Sequence, residues 1–236
     1  MNPTKKLVYS LFSVLIAVGF LFTGCTKTQP KGTPSNSTAV ATDVKTLVYA
    51  GKPYVAINGN KPFFSRELLQ LTEAEQYSPL DSLGRCGPAF AVITSKTMPK
   101  EKRGPIGMIK PSGWHTVRYD DLIKDKYLYN RCHLIGFQLA GENANVKNLI
   151  TGTRYLNIDG MLPFENRVSD YVKRSRNPVL YRVTPVFEGK ELVARGVIME
   201  GYSLKDEGNT ICFNVFVFNV QPGIEIDYAT GKSKRI

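Results

Sequence analysis

The chain contains few histidines and cysteines, and this scarcity limits the chemistry open to it. Only two of its 236 residues are histidines, so the choice of a base that works near neutral pH is narrow. The cysteines show no Cys-x-x-Cys pair or other zinc-type spacing, which argues against a structural zinc site. Apart from Cys25, three cysteines remain, and Cys86, Cys132 and Cys212 permit at most one disulfide bond within the chain. The sequence does not say which pair would form it.

The apolar run at residues 7–22 is short for a membrane-spanning helix. It follows the positive pair Lys5 and Lys6, and small residues close it before Cys25. This arrangement is typical of a secretory signal peptide. The Gly-Cys ending resembles a bacterial lipobox, so we expect residues 1–25 to be a lipoprotein-type signal peptide with Cys25 lipidated. An uncleaved anchor and a plain signal peptide are the alternatives. Each places the body of the chain outside the cytoplasmic membrane, anchored on its outer face if Cys25 carries lipid.

Large apolar residues are scarce in the segment that follows. Residues 26–45 are rich in Thr, Ser, Pro and Lys and bury little surface, so we predict a flexible tether. Residues 46–236 contain no internal repeat and are long enough for one domain with its own hydrophobic core.

Acidic residues are outnumbered by basic ones. The whole chain has 31 Lys and Arg against 20 Asp and Glu, a net charge of +11. Loss of the signal peptide removes Lys5 and Lys6 and leaves a net charge of +9, from 29 basic and 20 acidic residues. This excess favours a polyanionic partner, either nucleic acid or an anionic envelope polymer.

The periodicity of residues 46–236 predicts strands at both ends with helices inserted between them. A hairpin turn is predicted at residues 58–60, a loop at residues 96–110, and helices at residues 65–75, at residues 146–156 and after Pro163. Predicted strands cover residues 47–57, 89–94, 114–119, 126–129, 179–186, 192–199 and 211–220. In the last of these both alternating faces are apolar, which indicates a central strand. The pattern predicts an α+β fold with a mainly antiparallel sheet.

The residues with the most chemical potential lie in the middle of the domain. His133 is the natural general base, because an imidazole titrates near neutral pH. Asn157 offers a neutral carbonyl oxygen, which suits a mostly hydrated Mg²⁺ ion, and Glu165 is expected to orient that hydrated ion. Arg131 is predicted to be catalytic together with His133 and Glu165, and Arg154 and Arg167 are predicted to bind substrate. All three arginines supply positive charge for phosphate contact. Such a set suits metal-assisted cleavage of a phosphodiester.

The segment Asn130-Arg-Cys-His133 resembles the Asp-Arg-Gly-His signature of the DNA/RNA non-specific endonucleases, which are ββα-metal (His-Me finger) enzymes. The family's metal-binding Asn and a Glu eight residues after it correspond to Asn157 and Glu165. The likeness is to the exported streptococcal-type branch with an Asn-Arg-x-His motif. This sequence departs from the family signature at Asn130 and Cys132.

The resemblance implies an inserted ββα-metal motif with His133 as general base, and Asn157 as the sole direct protein ligand of Mg²⁺, with Mn²⁺ as a second option. It also implies DNA and RNA as substrates, 5′-phosphorylated products and no protein partner. A non-catalytic nucleic-acid-binding surface lipoprotein of the same fold is the alternative, and a structural envelope lipoprotein is a third class. A Cys132–His133 catalytic dyad is rejected, because adjacent residues of a strand point to opposite faces. His115 is expected to pack or hydrogen-bond near the site.

Overall fold

The computed structural model describes residues 44–236. The predicted signal peptide at residues 1–25, Cys25 and nearly all of the predicted tether therefore lie outside the described residues. Across residues 44–236, no helix combines the length and the apolar character that crossing a membrane requires.

A six-stranded sheet forms the centre of the described part, and every pair of neighbouring strands in it is antiparallel. Its spatial order is β1-β8-β7-β6-β3-β2, and two smaller two-stranded sheets pair β4 with β5 and β9 with β10. The strands are β1 (Tyr54–Ala56), β2 (Glu75–Tyr77), β3 (Ala89–Ile93), β4 (Tyr129–His133), β5 (Leu149–Thr153), β6 (Val179–Val186), β7 (Gly196–Ser203), β8 (Cys212–Phe218), β9 (Ile224–Ile226) and β10 (Ser233–Arg235).

Between β1 and β6, the described part of the chain forms three α-helices and three irregular helical turns. The α-helices are α1 (Arg66–Leu69), α2 (Phe137–Ala140) and α3 (Leu162–Ser175). Short 3₁₀ turns cover Asn58–Asn60 and Val146–Asn148, and a π-helical turn, Leu156–Met161, runs directly into α3. Pro163 lies in the first turn of α3, as the sequence predicted, directly after the π-helical turn.

Both faces of the sheet are covered, which explains the apolar character of its inner strands. On one face, Val215 and Val217 of β8 join the largest core cluster together with Leu156 and Val168. On the other face, Phe216 and Phe218 pack with residues of the N-terminal segment that include Val44. The predicted two-sided position of this strand is confirmed, since β8 lies between β1 and β7.

The ββα unit is inserted between two strands that pair directly. β3 and β6 are neighbours in the sheet, and the chain between them forms β4, β5, the π-helical turn and α3. The predicted α+β fold with a mainly antiparallel sheet and an inserted ββα motif is therefore confirmed.

Several predicted elements are wrong in type or extent. Residues 149–153 form β5 and not part of a helix, because they pair with β4 and all five are buried. The first strand covers only Tyr54–Ala56 and pairs with β8, so no hairpin forms with the residues after the turn at Asn58–Asn60. The strands predicted at residues 114–119 and 126–129 are reduced to an isolated bridge between Arg118 and Tyr127, and β4 begins at Tyr129. Helix α1 ends at Leu69, although Ser65 caps it as predicted, with its Oγ accepting from Leu68 N.

Candidate active site

Strand β4 carries the Asn130-Arg-Cys-His133 segment, and its two faces meet different parts of the molecule. Register with β5 places His133 opposite Leu149 and Asn130 opposite Gly152. Arg131 and His133 share one face, whereas Asn130 and Cys132 share the other. The first face contacts the loop at residues 103–109, and the second contacts the π-helical turn that carries Asn157.

His133 has a hydrogen-bond partner at each ring nitrogen: the backbone oxygen of Asn143 at Nε2, and Arg103 Nη2, which donates to Nδ1 at 3.4 Å. Its side chain is 6% exposed, and Nε2 lies 2.8 Å from the backbone oxygen of Asn143. A carbonyl oxygen only accepts, so Nε2 carries the proton and Nδ1 carries the lone pair. Burial lowers the pKa of His133, and the positive charge of Arg103 lowers it further against the opposing effect of the Asn143 carbonyl. The imidazole is therefore neutral at neutral pH, as a base must be.

Asn157 lies in the π-helical turn, a local widening of the helix that is frequent at functional sites. Its backbone oxygen accepts from Leu162 N, and its Nδ2 donates to Asn130 Oδ1 at 3.2 Å. Within residues 44–236, Asn157 Oδ1 accepts no hydrogen bond. The side chain is half-buried, so this oxygen is a free neutral ligand for a hard cation.

Glu165 lies in the first turn of α3 and packs against the backbone that follows β4. A Cβ added at Gly136 would come within 2.8 Å of Glu165 Cδ, so the carboxyl group packs directly on that glycine. Burial raises the pKa of Glu165 to about 7, and the charge of Arg103 acts in the opposite direction. The carboxyl group therefore lies near the charge of Arg103 and against Gly136, which follows His133 by three residues.

Arg103 is the site residue that the sequence reasoning missed. Its Nη2 lies 3.4 Å from His133 Nδ1, and its charge acts on both His133 and Glu165. The side chain is exposed, so the guanidinium group is accessible to a ligand. The basic character of residues 96–110 was the available signal, but composition does not show which cation of the loop faces the histidine.

Arg131 is engaged by backbone of the same loop. Its Nε donates to the oxygen of Ile109 and its Nη2 donates to the oxygen of Gly107 at 2.7 Å. The guanidinium group also stacks 4.0 Å from the centroid of the Trp114 ring. Burial lowers the pKa of Arg131. Two of the three side-chain nitrogens of Arg131 are thus occupied by the backbone of residues 107–109. The phosphate contact of Arg131 stays a prediction.

The two other predicted substrate-binding arginines also have protein partners. Arg154 forms an ion pair with Asp125, and its side chain is 28% exposed. Arg167 donates from Nη2 to the oxygen of Thr210 at 2.7 Å. Neither contact places the guanidinium group against His133, so their substrate-binding role stays a prediction.

The cysteines and the second histidine take no part in the arrangement around His133. Cys86, Cys132 and Cys212 are all free thiols, and burial raises the pKa of Cys132 well above its usual value. His115 contacts the backbone oxygen of Thr230 through Nε2 at 2.9 Å. Among residues 44–236, no group of three or more His, Cys, Asp or Glu side chains is arranged to hold a metal ion.

Similar proteins of known fold show a related architecture. NucA from Streptococcus agalactiae, solved with a magnesium ion bound, matches with a TM-score of 0.70 and 24% identity, over 85% of this chain and 99% of that one. The Sda1 nuclease, solved with a bound zinc ion, matches with a TM-score of 0.58 and 31% identity, over 69% of this chain and 81% of that one. The antiparallel sheet and the β4–β5–α3 unit thus define a ββα-metal nuclease fold.

Sequence comparison leads to the family. A sequence model of the DNA/RNA non-specific endonucleases matches residues 66–204, which is more than half of the chain. A deoxyribonuclease from Streptococcus dysgalactiae subsp. equisimilis is 33% identical over 114 residues, which cover 45% of this chain. The match spans 33% of that curated relative's length. The chain belongs to the DNA/RNA non-specific endonuclease family.

Proposed function

We propose that this protein is a metal-dependent endonuclease that hydrolyses phosphodiester bonds in DNA and RNA without sequence specificity. The observation that carries the proposal is the state of His133, whose Nε2 is bound to the Asn143 carbonyl while Nδ1 keeps a lone pair beside Arg103. Family membership supports the reaction class. A pure nucleic-acid binder has no need of a neutral imidazole held in one tautomer.

His133 takes the proton from the attacking water through Nδ1. Its lowered pKa keeps it unprotonated at neutral pH, and the Asn143 carbonyl stabilises the imidazolium that forms when the proton arrives. General-base catalysis of this kind contributes about 10²–10⁴ to the rate.

Arg103 holds the scissile phosphate next to that base. Arg103 is exposed, and its Nη2 lies 3.4 Å from His133 Nδ1. A phosphate bound to this guanidinium group would therefore lie within reach of the water that His133 activates. Arg131 stabilises the loop that carries Arg103, because it donates to the backbone oxygens of Gly107 and Ile109.

The residues present fit a mostly hydrated Mg²⁺ ion, and Mn²⁺ has the same preference for oxygen. Asn157 Oδ1 is free, neutral and half-buried, while no cluster of charged ligands that would replace the water shell occurs within the described range. When bound, Mg²⁺ would supply positive charge that stabilises the negative charge developing in the reaction. Asn157 would hold the ion, and the Glu165 carboxyl group would orient its hydration shell.

The proposed location is the outer face of the bacterial cell membrane. It rests on the signal-peptide and lipobox pattern that ends at Cys25. Two structural neighbours are described as extracellular nucleases, which agrees with an exported enzyme. The net positive charge of the chain favours the DNA and RNA substrates.

Digestion of plasmid DNA and of RNA tests the proposal. With Mg²⁺ we expect fragments with 5′-phosphate ends, and with EDTA we expect intact substrate. His133→Ala should lower turnover by about 10²–10⁴ because it removes the base while the backbone pairing of β4 with β5 stays in place.

His115→Ala is the matched control, since His115 contacts the Thr230 oxygen and should leave turnover near the wild-type value. Intact plasmid under all metals and pH values, together with a clear gel shift, would favour a non-catalytic nucleic-acid-binding lipoprotein instead. Equal activity of His133→Ala and wild type would remove His133 from the role of base.

A further inference from the structure

The side chain at position 130 points away from His133. Asn130 and His133 are three residues apart in β4, so their side chains lie on opposite faces of the strand. His133 is oriented instead by the Asn143 carbonyl at 2.8 Å. Whatever Asn130 does for the site, it does not orient the base.

Asn130 contacts the side chain of Asn157. Asn157 Nδ2 donates to Asn130 Oδ1 at 3.2 Å, between β4 and the π-helical turn. The backbone oxygen of Asn157 is already occupied by Leu162 N, so only Oδ1 of that residue remains as a ligand. Both side chains are half-buried, which limits how water can substitute for this contact.

A carboxamide can present either its oxygen or its nitrogen in a given direction, and the two ends have opposite chemistry. An –NH₂ group directed at a cation repels it, whereas the oxygen binds it. The acceptor at position 130 decides between the two, because it pairs with the –NH₂ group and turns the oxygen the other way.

We propose that Asn130 is a positioning residue that fixes the Asn157 carboxamide with Oδ1 directed at the cation site. The proposal rests on the proposed function, in which Asn157 holds Mg²⁺. It also gives a physical account of the Asp-to-Asn departure from the family signature. The position requires an acceptor oxygen aimed at Asn157 Nδ2, and either side chain provides one.

Three variants separate this role from a structural one. Asn130→Leu keeps the approximate size of the side chain and removes the acceptor. Asn130→Asp keeps an acceptor and, unlike Asn, offers no –NH₂ group that would pair with the Asn157 oxygen. Asn157→Ala removes the ligand itself and serves as the reference for complete loss of the site.

The primary measurement is Mg²⁺ titration of the purified ¹⁵N-labelled protein without nucleic acid, followed through the side-chain amide resonances of Asn157. We expect Asn130→Leu to weaken Mg²⁺ binding by about 10–100-fold, the usual effect of losing a partner of a metal ligand. Asn130→Asp should bind at least as tightly as wild type. In Asn157→Ala, which has lost those resonances, the backbone amide shifts of β4 report binding.

A nuclease assay against Mg²⁺ concentration gives the second readout. For Asn130→Leu, the half-saturating Mg²⁺ concentration should rise while kcat at saturating Mg²⁺ stays near wild type. Unfolding midpoints without metal should stay close for wild type, Asn130→Leu and Asn130→Asp. A merely structural role would instead lower the midpoint and kcat without moving the Mg²⁺ dependence.

The proposal fails if Asn130→Leu binds Mg²⁺ as wild type does while Asn157→Ala does not. If Asn157→Ala and wild type bind Mg²⁺ equally, Asn157 is not the metal ligand. That result contradicts the proposed function, and the role of Asn130 falls with it. Because the two outcomes differ in the Asn157→Ala arm, failure of the inference and failure of the proposed function are distinguishable.

Discussion

In the candidate site, the protonation state and the orientation of individual side chains are set by neighbours that the structure identifies. His133 is neutral because it is buried beside Arg103, and it keeps one tautomer because Asn143 accepts from Nε2. The pKa of Glu165 is raised because the carboxyl group is packed on Gly136. The sequence identified His133, Asn157 and Glu165 by type and spacing, but Arg103 became a candidate only when its distance to Nδ1 was known.

The raised pKa of Glu165 predicts a pH-dependent contribution to stability. A pKa of about 7 in the folded state, against an ordinary value of 4.5, means that the folded protein binds more protons between these values. The contribution is fully present below about pH 4.5 and is lost as the pH rises through about 7. Glu165→Gln removes it. We therefore expect the variant, without metal, to gain stability relative to wild type as the pH rises through that range.

Urea unfolding in EDTA at a series of pH values measures this difference. The pKa of His133 is shifted by burial, Asn143, Arg103 and Glu142 and not by Glu165, so its contribution cancels in the comparison. A difference between Glu165→Gln and wild type that is constant from about pH 4.5 to about pH 8 would contradict the assignment.

The two arginines near β4 should respond differently to truncation. Arg103→Ala removes an exposed group beside His133 and should lower turnover with little change in the unfolding midpoint. Arg131→Ala releases the oxygens of Gly107 and Ile109 and uncovers Trp114, so it should also lower stability, by about 1–3 kcal/mol. Thermal unfolding and steady-state kinetics on both variants provide the measurements. Equal loss of stability in the two would argue against the distinction.

At the scale of secondary-structure elements, prediction from the sequence was least reliable where an apolar run was short. Leu149, Ile150, Thr153 and Leu156 follow helical spacing, yet residues 149–153 form β5. A short run whose residues are all buried has no polar face to reveal its period. Pairing with β4 decided the outcome, and neither strand contains a signal for its partner. The longer strands β6 and β8 were predicted close to their observed positions, whereas β7 (Gly196–Ser203) begins and ends four residues after the strand predicted at residues 192–199.

The pairing of β4 with β5 also accounts for Cys132, which stands where the family signature has glycine. A Cβ added at Gly152 would lie 2.4 Å from Cys132 Sγ and 2.7 Å from Leu156 Cδ2. The Cys132 thiol of β4 therefore fills the space that the missing side chain of Gly152 in β5 leaves open. We expect Gly152→Ala to cost about 1–3 kcal/mol by overpacking, which exceeds the roughly 0.4–1 kcal/mol that a Gly→Ala change gains from the unfolded state.

Adding Cys132→Gly to Gly152→Ala should recover part of that loss. The measurement is a double-mutant cycle in chemical unfolding, with an expected coupling of about 0.5–3 kcal/mol between the two positions. Strictly additive effects would show that the thiol and the glycine do not share this space.

At the scale of the whole molecule, charge and fold point to the same substrate class. The chain carries a net charge of +11, and the exposed Arg103 belongs to the basic loop that borders His133. The fold and the family agree with a nuclease. Export and lipidation at Cys25 lie outside the described residues and stay predictions.

Binding of nucleic acid should weaken steeply with salt. Phosphate contacts release counterions, so the logarithm of the affinity falls linearly with the logarithm of the salt concentration. We expect at least about a tenfold loss for duplex DNA between 50 and 200 mM NaCl. Fluorescence polarisation with His133→Ala in EDTA measures binding without cleavage, and a neutral osmolyte at matched osmolality is the control. An affinity unaffected by NaCl would exclude a basic groove as the binding surface.

The sequence by itself determined the fold class, the positions of strands β3, β6 and β8 and the types of residue that the proposed reaction requires. These follow from local periodicity and from the spacing between His133, Asn157 and Glu165 along the chain. Only the tertiary structure decided which arginine faces the base, which carbonyl fixes its tautomer and which side chain holds the Asn157 carboxamide. Those contacts join loop, strand and π-helical turn, and local sequence preferences do not encode such distances.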